Sequence, residues 1–141
     1  MKISIQRQDF ELGVEVKAIS NNPKIGAVAS FIGVVRDVAM TLEHYPGMTE
    51  RAIAKIVEEA KSRWQVMDCT VIHRYGALEP NDQIVLVAVA SGHRGDAFAA
   101  CEFIMDYLKT RAPFWKKEQA AGGARWVEAK DSDDKAAGRW K

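Results

Sequence analysis

Three short segments of this 141-residue chain carry side chains that could bind an anion or move a proton. The first, residues 33–37 (GVVRD), ends an apolar run with an arginine and an aspartate. The second, residues 91–96 (SGHRGD), sets a histidine and an arginine between two glycines, and the third, residues 108–118 (LKTRAPFWKKE), is rich in cations. These residue types favour recognition of a phosphate or carboxylate, with a lysine available for proton transfer.

The second segment follows a predicted strand and precedes a predicted helix. A glycine-containing turn lets a ligand approach the backbone, and the following helix N-terminus offers free N–H groups and a partial positive charge. His93 and Arg94 add two side-chain donors. The pattern fits a phosphate cradle, and it also fits a solvated loop with incidental charges, so both interpretations stay open.

The third segment allows two interpretations of its lysines. Lys109 falls at the predicted C-terminus of a helix, where a cation is stabilised by the helix dipole alone. Phe114 and Trp115 precede Lys116 and Lys117. Partial desolvation by the rings and neighbouring positive charges would lower a lysine pKa and suit it to exchange protons. The same rings could instead be ordinary core residues with lysine stems lying across them.

Composition excludes several functional classes. Lys plus Arg number 20 against 19 Asp plus Glu, for a net charge of +1, which argues against a general nucleic-acid coat. The sequence contains neither an apolar run long enough to span a membrane nor a signal-peptide pattern, so we expect a cytoplasmic protein. Cys69 and Cys101 form no CxxC pair and are expected to be reduced core thiols. The histidines are too dispersed to predict a metal site. The sequence also contains no nucleotide-binding glycine motif, so we expect no cofactor.

The pattern of apolar residues predicts one α+β domain over residues 1–141, with helices packed on a mainly antiparallel sheet in two layers. Strands are predicted at residues 3–7, 25–35, 41–45, 69–75, 84–90 and 122–128, and helices at 9–19, 49–64 and 96–109. We expect Asp9 and Thr49 to cap the first two helices, and the strand at 25–35 to be covered on both faces. The charged tail from about residue 131 is expected to be a loose helix.

Several ordered motifs resemble those of the molybdopterin synthase large, catalytic subunit family. They are residues 31–37 (FIGVVRD), 42–48 (LEHYPGM), 71–76 (VIHRYG), 91–98 (SGHRGDAF), 108–118 (LKTRAPFWKKE) and 125–128 (RWVE), and the resemblance spans about residues 5–140. It implies a hammerhead-like α+β fold. It also implies a sulfurtransferase of molybdenum cofactor biosynthesis.

The family reaction that the resemblance implies has two partners. A small ubiquitin-like sulfur-carrier subunit brings a thiocarboxylate on its C-terminal Gly-Gly tail, which enters a pocket of the large subunit. The sulfur passes to cyclic pyranopterin monophosphate, and two transfers form the dithiolene of molybdopterin. The implied assembly is a heterotetramer around a homodimer of large subunits.

The resemblance also implies roles for individual residues. Lys109 and Lys116 match the two active-site lysines, and both are expected to contact substrate and carry the chemistry. The remaining substrate-binding positions implied by the match are Arg36, His93, Arg94, Lys117 and Glu118. Since the partner supplies the sulfur, no cysteine of this chain need be a nucleophile.

One departure from the family pattern lies after Asp37. The family usually has a longer, polar, glycine-containing loop there, whereas only residues 38–41 (VAMT) separate Asp37 from Leu42. The short loop is either a true deletion or the result of residues missing from the sequence. We favour missing residues, which predicts a break in the chain between Asp37 and Val38. A second departure is Val34, where many relatives carry a polar or basic residue.

Two other functions compete with the resemblance. A persulfide sulfurtransferase would use Cys101 or Cys69, but Cys101 falls on the apolar stripe of a predicted helix and a reactive thiol needs an exposed, electropositive site. A docking module for a ubiquitin-like protein would need the basic groove without the lysine chemistry. A single-turnover assay with a thiocarboxylated partner separates these alternatives.

Overall fold

The computed structural model describes residues 1–120, 123–127 and 131–140, which form an α+β domain. Its strands are β1 (Lys2–Gln6), β2 (Ala27–Val34), β3 (Met40–His44), β4 (Asp68–Arg74), β5 (Gly76–Leu78), β6 (Gln83–Ser91), β7 (Phe114–Ala120) and β8 (Gly123–Val127). Its helices are α1 (Leu12–Ala18), α2 (Met48–Arg63), α3 (Arg94–Arg111) and α4 (Asp131–Gly138). The predicted fold class is confirmed, although the strands form two sheets instead of one.

The first sheet has the order β1-β4-β6-β2 and carries the main core on one face. Only the β1–β4 pair is parallel, and β6 pairs antiparallel with both of its neighbours. Seven of the nine β6 residues are buried, because the strand is central and both of its faces are covered. Helices α2 and α3 pack their apolar stripes on this sheet, with Phe103 fully buried at their contact.

Strand β2 departs from the sequence prediction. It lies at the edge of the first sheet, so one row of its backbone groups faces no strand among the described residues. Phe31 and Val34 are 43% and 47% exposed, and the predicted cover on both faces is therefore wrong. An apolar run alone does not distinguish an edge strand from a central one, because apolar residues of an edge strand can line a cleft, as Phe31 and Val34 do here.

The second sheet has the order β5-β3-β7-β8 and is antiparallel throughout. Strands β5 and β7 were not predicted. Met40 and Leu42 of β3 pack with Val35 and Leu78 in a small core beneath this sheet. The sheet therefore holds β7, which carries two of the candidate site lysines, against the edge of the main domain.

Helix ends correct three smaller expectations. Asp9 caps no helix: its carboxylate accepts the Phe10 N–H at 2.9 Å and the Gln83 amide at 2.8 Å, and α1 begins at Leu12. Thr49 is buried inside α2, whose N-cap is Gly47. Helix α4 is docked, not loose: Trp140, just beyond it, packs edge-on against Phe103, and its indole N–H donates to Asp106. No helix within the described residues is long and apolar enough to cross a membrane.

Candidate functional site

A cleft of about 610 Å³ opens where the two sheets meet. Its apolar wall is the end of β2 and the following turn, together with Ile84 and Val85 of β6. Its charged lining consists of Arg36, Asp37, Lys109, Lys116 and Glu118. Three cations thus converge from a turn, a helix end and a strand, which is the arrangement expected for an anionic ligand with an apolar part.

Strand β7 directs Lys116 and Glu118 into this cleft. The two residues are two apart in a strand, so their side chains share a face. Their cross-strand partners are Leu42 and Met40, both buried beneath the sheet. The Lys116 ammonium lies 3.2 Å from the Glu118 carboxylate, with both side chains largely shielded from solvent. Glu118 therefore holds Lys116 in place beside the apolar wall.

Lys117 points to the opposite face of the same strand. Its cross-strand partner is Thr41. Trp115 lies on the same face of β7 as Lys117, and its ring centroid is 4.5 Å from that of Tyr45. The structure therefore does not bring Lys117 to the cleft that holds Lys116. Because side chains alternate along a strand, Lys116 and Lys117 project to opposite faces of β7, and only Lys116 lines this cleft.

Lys109 reaches the cleft from the last turn of α3, close to a buried histidine. His73 in β4 stacks on Phe114 with ring centroids 3.8 Å apart and an interplanar angle of 18°. Its Nδ1 lies 2.8 Å from the Arg74 carbonyl oxygen, so Nδ1 carries the proton and donates it. Burial, aided by the positive charge of Lys109 and opposed by the hydrogen bond to the Arg74 carbonyl, lowers the pKa of His73 to about 4. His73 is therefore a buried, neutral histidine whose ring N–H is satisfied by a hydrogen bond.

A neutral His73 predicts a specific pH dependence of stability. Between pH 4 and 6.5 the unfolded chain binds a proton that the folded chain does not, so the free energy of unfolding should rise with pH across this window. The full gain, up to about 3 kcal/mol, is reached above pH 6.5 and is lost as pH falls toward 4. Urea unfolding of wild type and His73→Phe at pH 5 and pH 7.5 measures it. The variant should lose this increment and exposed His93→Ala should keep it, whereas an unchanged increment in His73→Phe would contradict the assignment.

His93 and Arg94 lie at the other end of α3. Arg94 is the first residue of the helix and Lys109 follows fifteen residues later, which corresponds to about 22 Å along the axis. Both side chains are exposed, and no side chain caps the helix at His93. Within one chain the structure therefore does not unite them with the lysines. This separation follows from the sequence prediction, because a continuous helix between residues 91–96 and residues 108–118 fixes the distance between them.

The turn after β2 shows no break. The Val38 amide donates to the Arg36 carbonyl oxygen at 2.9 Å, and Asp37 adopts a positive φ of 72° to close this tight turn. The predicted gap between Asp37 and Val38 is therefore not observed. Arg36 extends into solvent with Asp37 beside it, at 3.7 Å. The cleft-lining residues that sequence reasoning missed, including Met40 and Val38, had no signal beyond their proximity to Arg36.

Both cysteines are free, buried thiols, as predicted. Burial raises the pKa of Cys69 to about 11 and that of Cys101 to about 12. The Cys101 thiol donates to the Val87 carbonyl oxygen in the core. Neither lines the cleft. Among the described residues, no group of three or more His, Cys, Asp or Glu side chains is arranged to hold a metal ion.

Comparison with known proteins gives concordant results. The family model for the MoaE protein matches residues 5–111. The molybdopterin synthase catalytic subunit of Ralstonia nicotianae is 63% identical over 98% of this chain and 83% of its own length. A molybdopterin biosynthesis MoaE protein structure from Burkholderia ambifaria has 60% identity and a TM-score of 0.87, covering 99% and 98% of the two chains. A molybdopterin synthase structure from Staphylococcus aureus has 32% identity and a TM-score of 0.81, covering 87% and 94%.

The sequence alignments also show a difference in length. The Ralstonia alignment runs over 146 positions, more than the 141 residues of this chain, so that relative carries residues within the matched span that are absent here. The match with the family model runs from the end of β1 to the end of α3 and includes the cleft residues Arg36 and Lys109. On this evidence the chain belongs to the MoaE protein family, the family of its relatives named molybdopterin synthase catalytic subunits.

Proposed function

We propose that this chain is the catalytic subunit of molybdopterin synthase, a cytoplasmic sulfurtransferase. In this proposal it transfers sulfur from the C-terminal thiocarboxylate of a small ubiquitin-like subunit to cyclic pyranopterin monophosphate. The observation that carries the proposal is the convergence of Arg36, Lys109 and Lys116 on one cleft with an apolar wall, in a member of the MoaE family.

The chemistry of the two substrates fits this cleft. Both the thiocarboxylate and the cyclic phosphate are anionic, so bringing them together costs electrostatic repulsion unless cations lie between them. Lys109 and Lys116 approach the cleft from different elements and can offset both charges. The apolar wall formed by the end of β2 suits the flat pterin ring system, and a Gly-Gly tail is thin enough to share the remaining volume.

The lysines are proposed to act at the reacting atoms. As the sulfur attacks the pterin side chain and the cyclic phosphate opens, negative charge develops on the leaving oxygen. A fixed ammonium stabilises that charge more in the transition state than in the ground state. Lys116 is fixed beside the apolar wall, because Glu118 holds it at 3.2 Å. Lys109 is proposed to lie against the inserted tail and to donate or accept protons there.

His93 and Arg94 can join the same site if a second copy of the chain supplies them. Strand β2 spans seven residue steps, about 24 Å, nearly the distance between Arg94 and Lys109 along α3. Its first residue, Ala27, pairs with Ser91 beside His93, and its last, Val34, lines the lysine cleft. Two copies of β2 related by a two-fold axis and pairing antiparallel would therefore set His93 and Arg94 of each copy beside the cleft of the other.

Such a pairing would form the proposed homodimer, with a small subunit bound at each of two clefts to give a heterotetramer. The edge of β2 that pairs with no strand in the described part of the chain, together with exposed Phe31, offers backbone and apolar surface for such a contact. Arg36 and the incoming Arg94 would then bind the phosphate, while the lysines carry the chemistry. Light scattering at micromolar concentration should accordingly report a dimer of this chain.

A single-turnover assay tests the proposed function. Purified chain is mixed with excess thiocarboxylated small subunit and cyclic pyranopterin monophosphate, and the dithiolene product is measured over time. Product formation that requires both partners supports the proposal. Tight binding of the small subunit without product would favour a docking module, and product formed from a persulfide donor without the small subunit would favour cysteine chemistry.

A variant without cysteines distinguishes the proposed mechanism from a persulfide mechanism. The double variant Cys69→Ala, Cys101→Ala should retain single-turnover product formation within about twofold, because both thiols are buried and held protonated. It should lose stability, by roughly 1–3 kcal/mol per site, through lost packing. Activity is therefore measured at a temperature where circular dichroism shows the variant folded. A folded variant without product would revive the cysteine relay.

A further inference from the structure

Gln65 ties the segment that follows α2 to the turn that precedes α3. Its side-chain Oε1 accepts the Gly92 N–H at 3.2 Å and lies 3.4 Å from the Ser91 hydroxyl oxygen. Its own backbone N–H donates to the Asp96 carboxylate at 3.1 Å. The side chain of Gln65 thus accepts hydrogen bonds from residues 91–92, while its backbone N–H donates to the side chain of Asp96 in the first turn of α3. This reciprocal link joins two segments that are 26 to 31 residues apart.

Ser91, within the turn, connects Gln65 to the backbone of His93. The Ser91 hydroxyl oxygen accepts the His93 N–H at 3.3 Å, and the Ser91 carbonyl oxygen accepts the Gly26 N–H at 2.9 Å. A Cβ atom on Gly92 would lie 2.9 Å from Gln65 Oε1, closer than real Cβ atoms approach. Gln65 and Gly92 therefore fit against each other without spare space, and the backbone leading into His93 and Arg94 is held from one side by a side chain.

We propose that Gln65 is a positioning residue that sets the direction in which His93 and Arg94 meet the substrate phosphate. The inference rests on the proposed function, since it assumes that these two residues bind the phosphate. Their side chains are exposed and free to change rotamer, so the fold can fix only the backbone from which they project. Gln65 is itself exposed and packs little apolar surface, so its removal should affect the turn more than the stability of the domain.

The variant Gln65→Met tests the proposal in the complex with the small subunit. Methionine keeps the length of the side chain and removes the oxygen acceptor. We expect the KM for cyclic pyranopterin monophosphate to rise about three- to tenfold, the effect of one lost hydrogen bond, with kcat within twofold of wild type. The inhibition constant of inorganic phosphate should rise in parallel. Amide hydrogen exchange at Gly92 should accelerate, because its acceptor is gone.

Two further variants make the test specific. Gln65→Glu keeps a side-chain oxygen in reach of Gly92 and should recover the slow exchange of that amide. Gln8→Met removes an exposed glutamine far from the turn in sequence and should change neither KM nor the phosphate inhibition constant. Arg94→Ala, measured separately, tests the phosphate-binding assignment on which the inference rests, so failure of that assignment is seen independently of Gln65.

The proposal is overturned by any of three outcomes in Gln65→Met when Arg94→Ala does raise KM. The first is an unchanged KM and phosphate inhibition constant. The second is unchanged exchange at Gly92, which would mean that the link does not hold the turn. The third is a loss of thermal stability with kcat falling as much as KM rises, which would assign Gln65 a purely structural role.

Discussion

Lys116→Ala and Lys109→Ala are each expected to lower turnover by about a hundredfold or more, the effect of removing a group that stabilises developing charge on an oxygen. Both side chains line the same cleft, and Glu118 fixes Lys116 at 3.2 Å. Under the proposed mechanism these lysines stabilise charge that develops in the transition state, so kcat should fall more than the precursor affinity. Single-turnover rates and precursor binding, measured on variants shown to be folded and bound to the small subunit, check this.

Lys117→Ala provides the matched comparison. It removes the same charge one residue away, from the face of β7 that carries Trp115 and not from the face that carries Glu118. We expect its turnover to stay within about threefold of wild type, since a surface charge at this distance acts mainly through solvent. Near-normal turnover in both Lys109→Ala and Lys116→Ala would remove the catalytic assignment and favour the docking module.

Mixed dimers should recover activity that neither parent variant has. Arg94→Ala is expected to weaken precursor binding about ten- to hundredfold, the loss of a charge-assisted hydrogen bond. If each site takes Lys109 from one copy and Arg94 from the other, a dimer of Lys109→Ala with Arg94→Ala contains one intact site. Co-expressing the two variants with different tags yields that dimer. Below the wild-type KM it should show about half of wild-type activity, whereas each parent homodimer should show about a tenth or less.

The control for this experiment joins both changes in one chain. A dimer of wild type with the double variant Lys109→Ala, Arg94→Ala has no intact site if sites are shared, and one intact site if each chain forms its own. The two mixed dimers therefore give opposite results under the two arrangements. Activity in this second dimer, with none in the first, would mean that each site takes Lys109 and Arg94 from the same chain, and would overturn the shared-site arrangement.

The parts of the fold that could be predicted were those in which burial leaves a clear pattern. Strand β6 is almost entirely apolar because both of its faces are covered, and the apolar stripe of α3 lies on the main core. Strand β7 was missed because its sequence, FWKKEQA, alternates between a cleft and an outer face that both accept charge. Nothing local in the run at residues 25–35 indicated that β2 would lie at an edge.

The candidate site was predictable residue by residue but not as an arrangement. The lysines and arginines stand out by type, and the alternation in β7 separates Lys116 from Lys117 only once that segment is known to be a strand. Gln65 gave no signal, because a single glutamine after a helix has no distinctive spacing. Its role depends on a contact with Gly92, which lies 27 residues later in the chain.

Helix α3 runs without interruption from Arg94 to Arg111, with Lys109 in its last turn. A helix is stiff and its length is set by its number of residues, so α3 fixes the distance between Arg94 at one end and Lys109 at the other. Inserting or deleting one residue would turn one end relative to the other by roughly 100° and shift it by about 1.5 Å. In a two-fold dimer this error would appear at both sites at once. Substitutions on the outer face of α3 should therefore be tolerated over evolutionary time, whereas changes in its length should not.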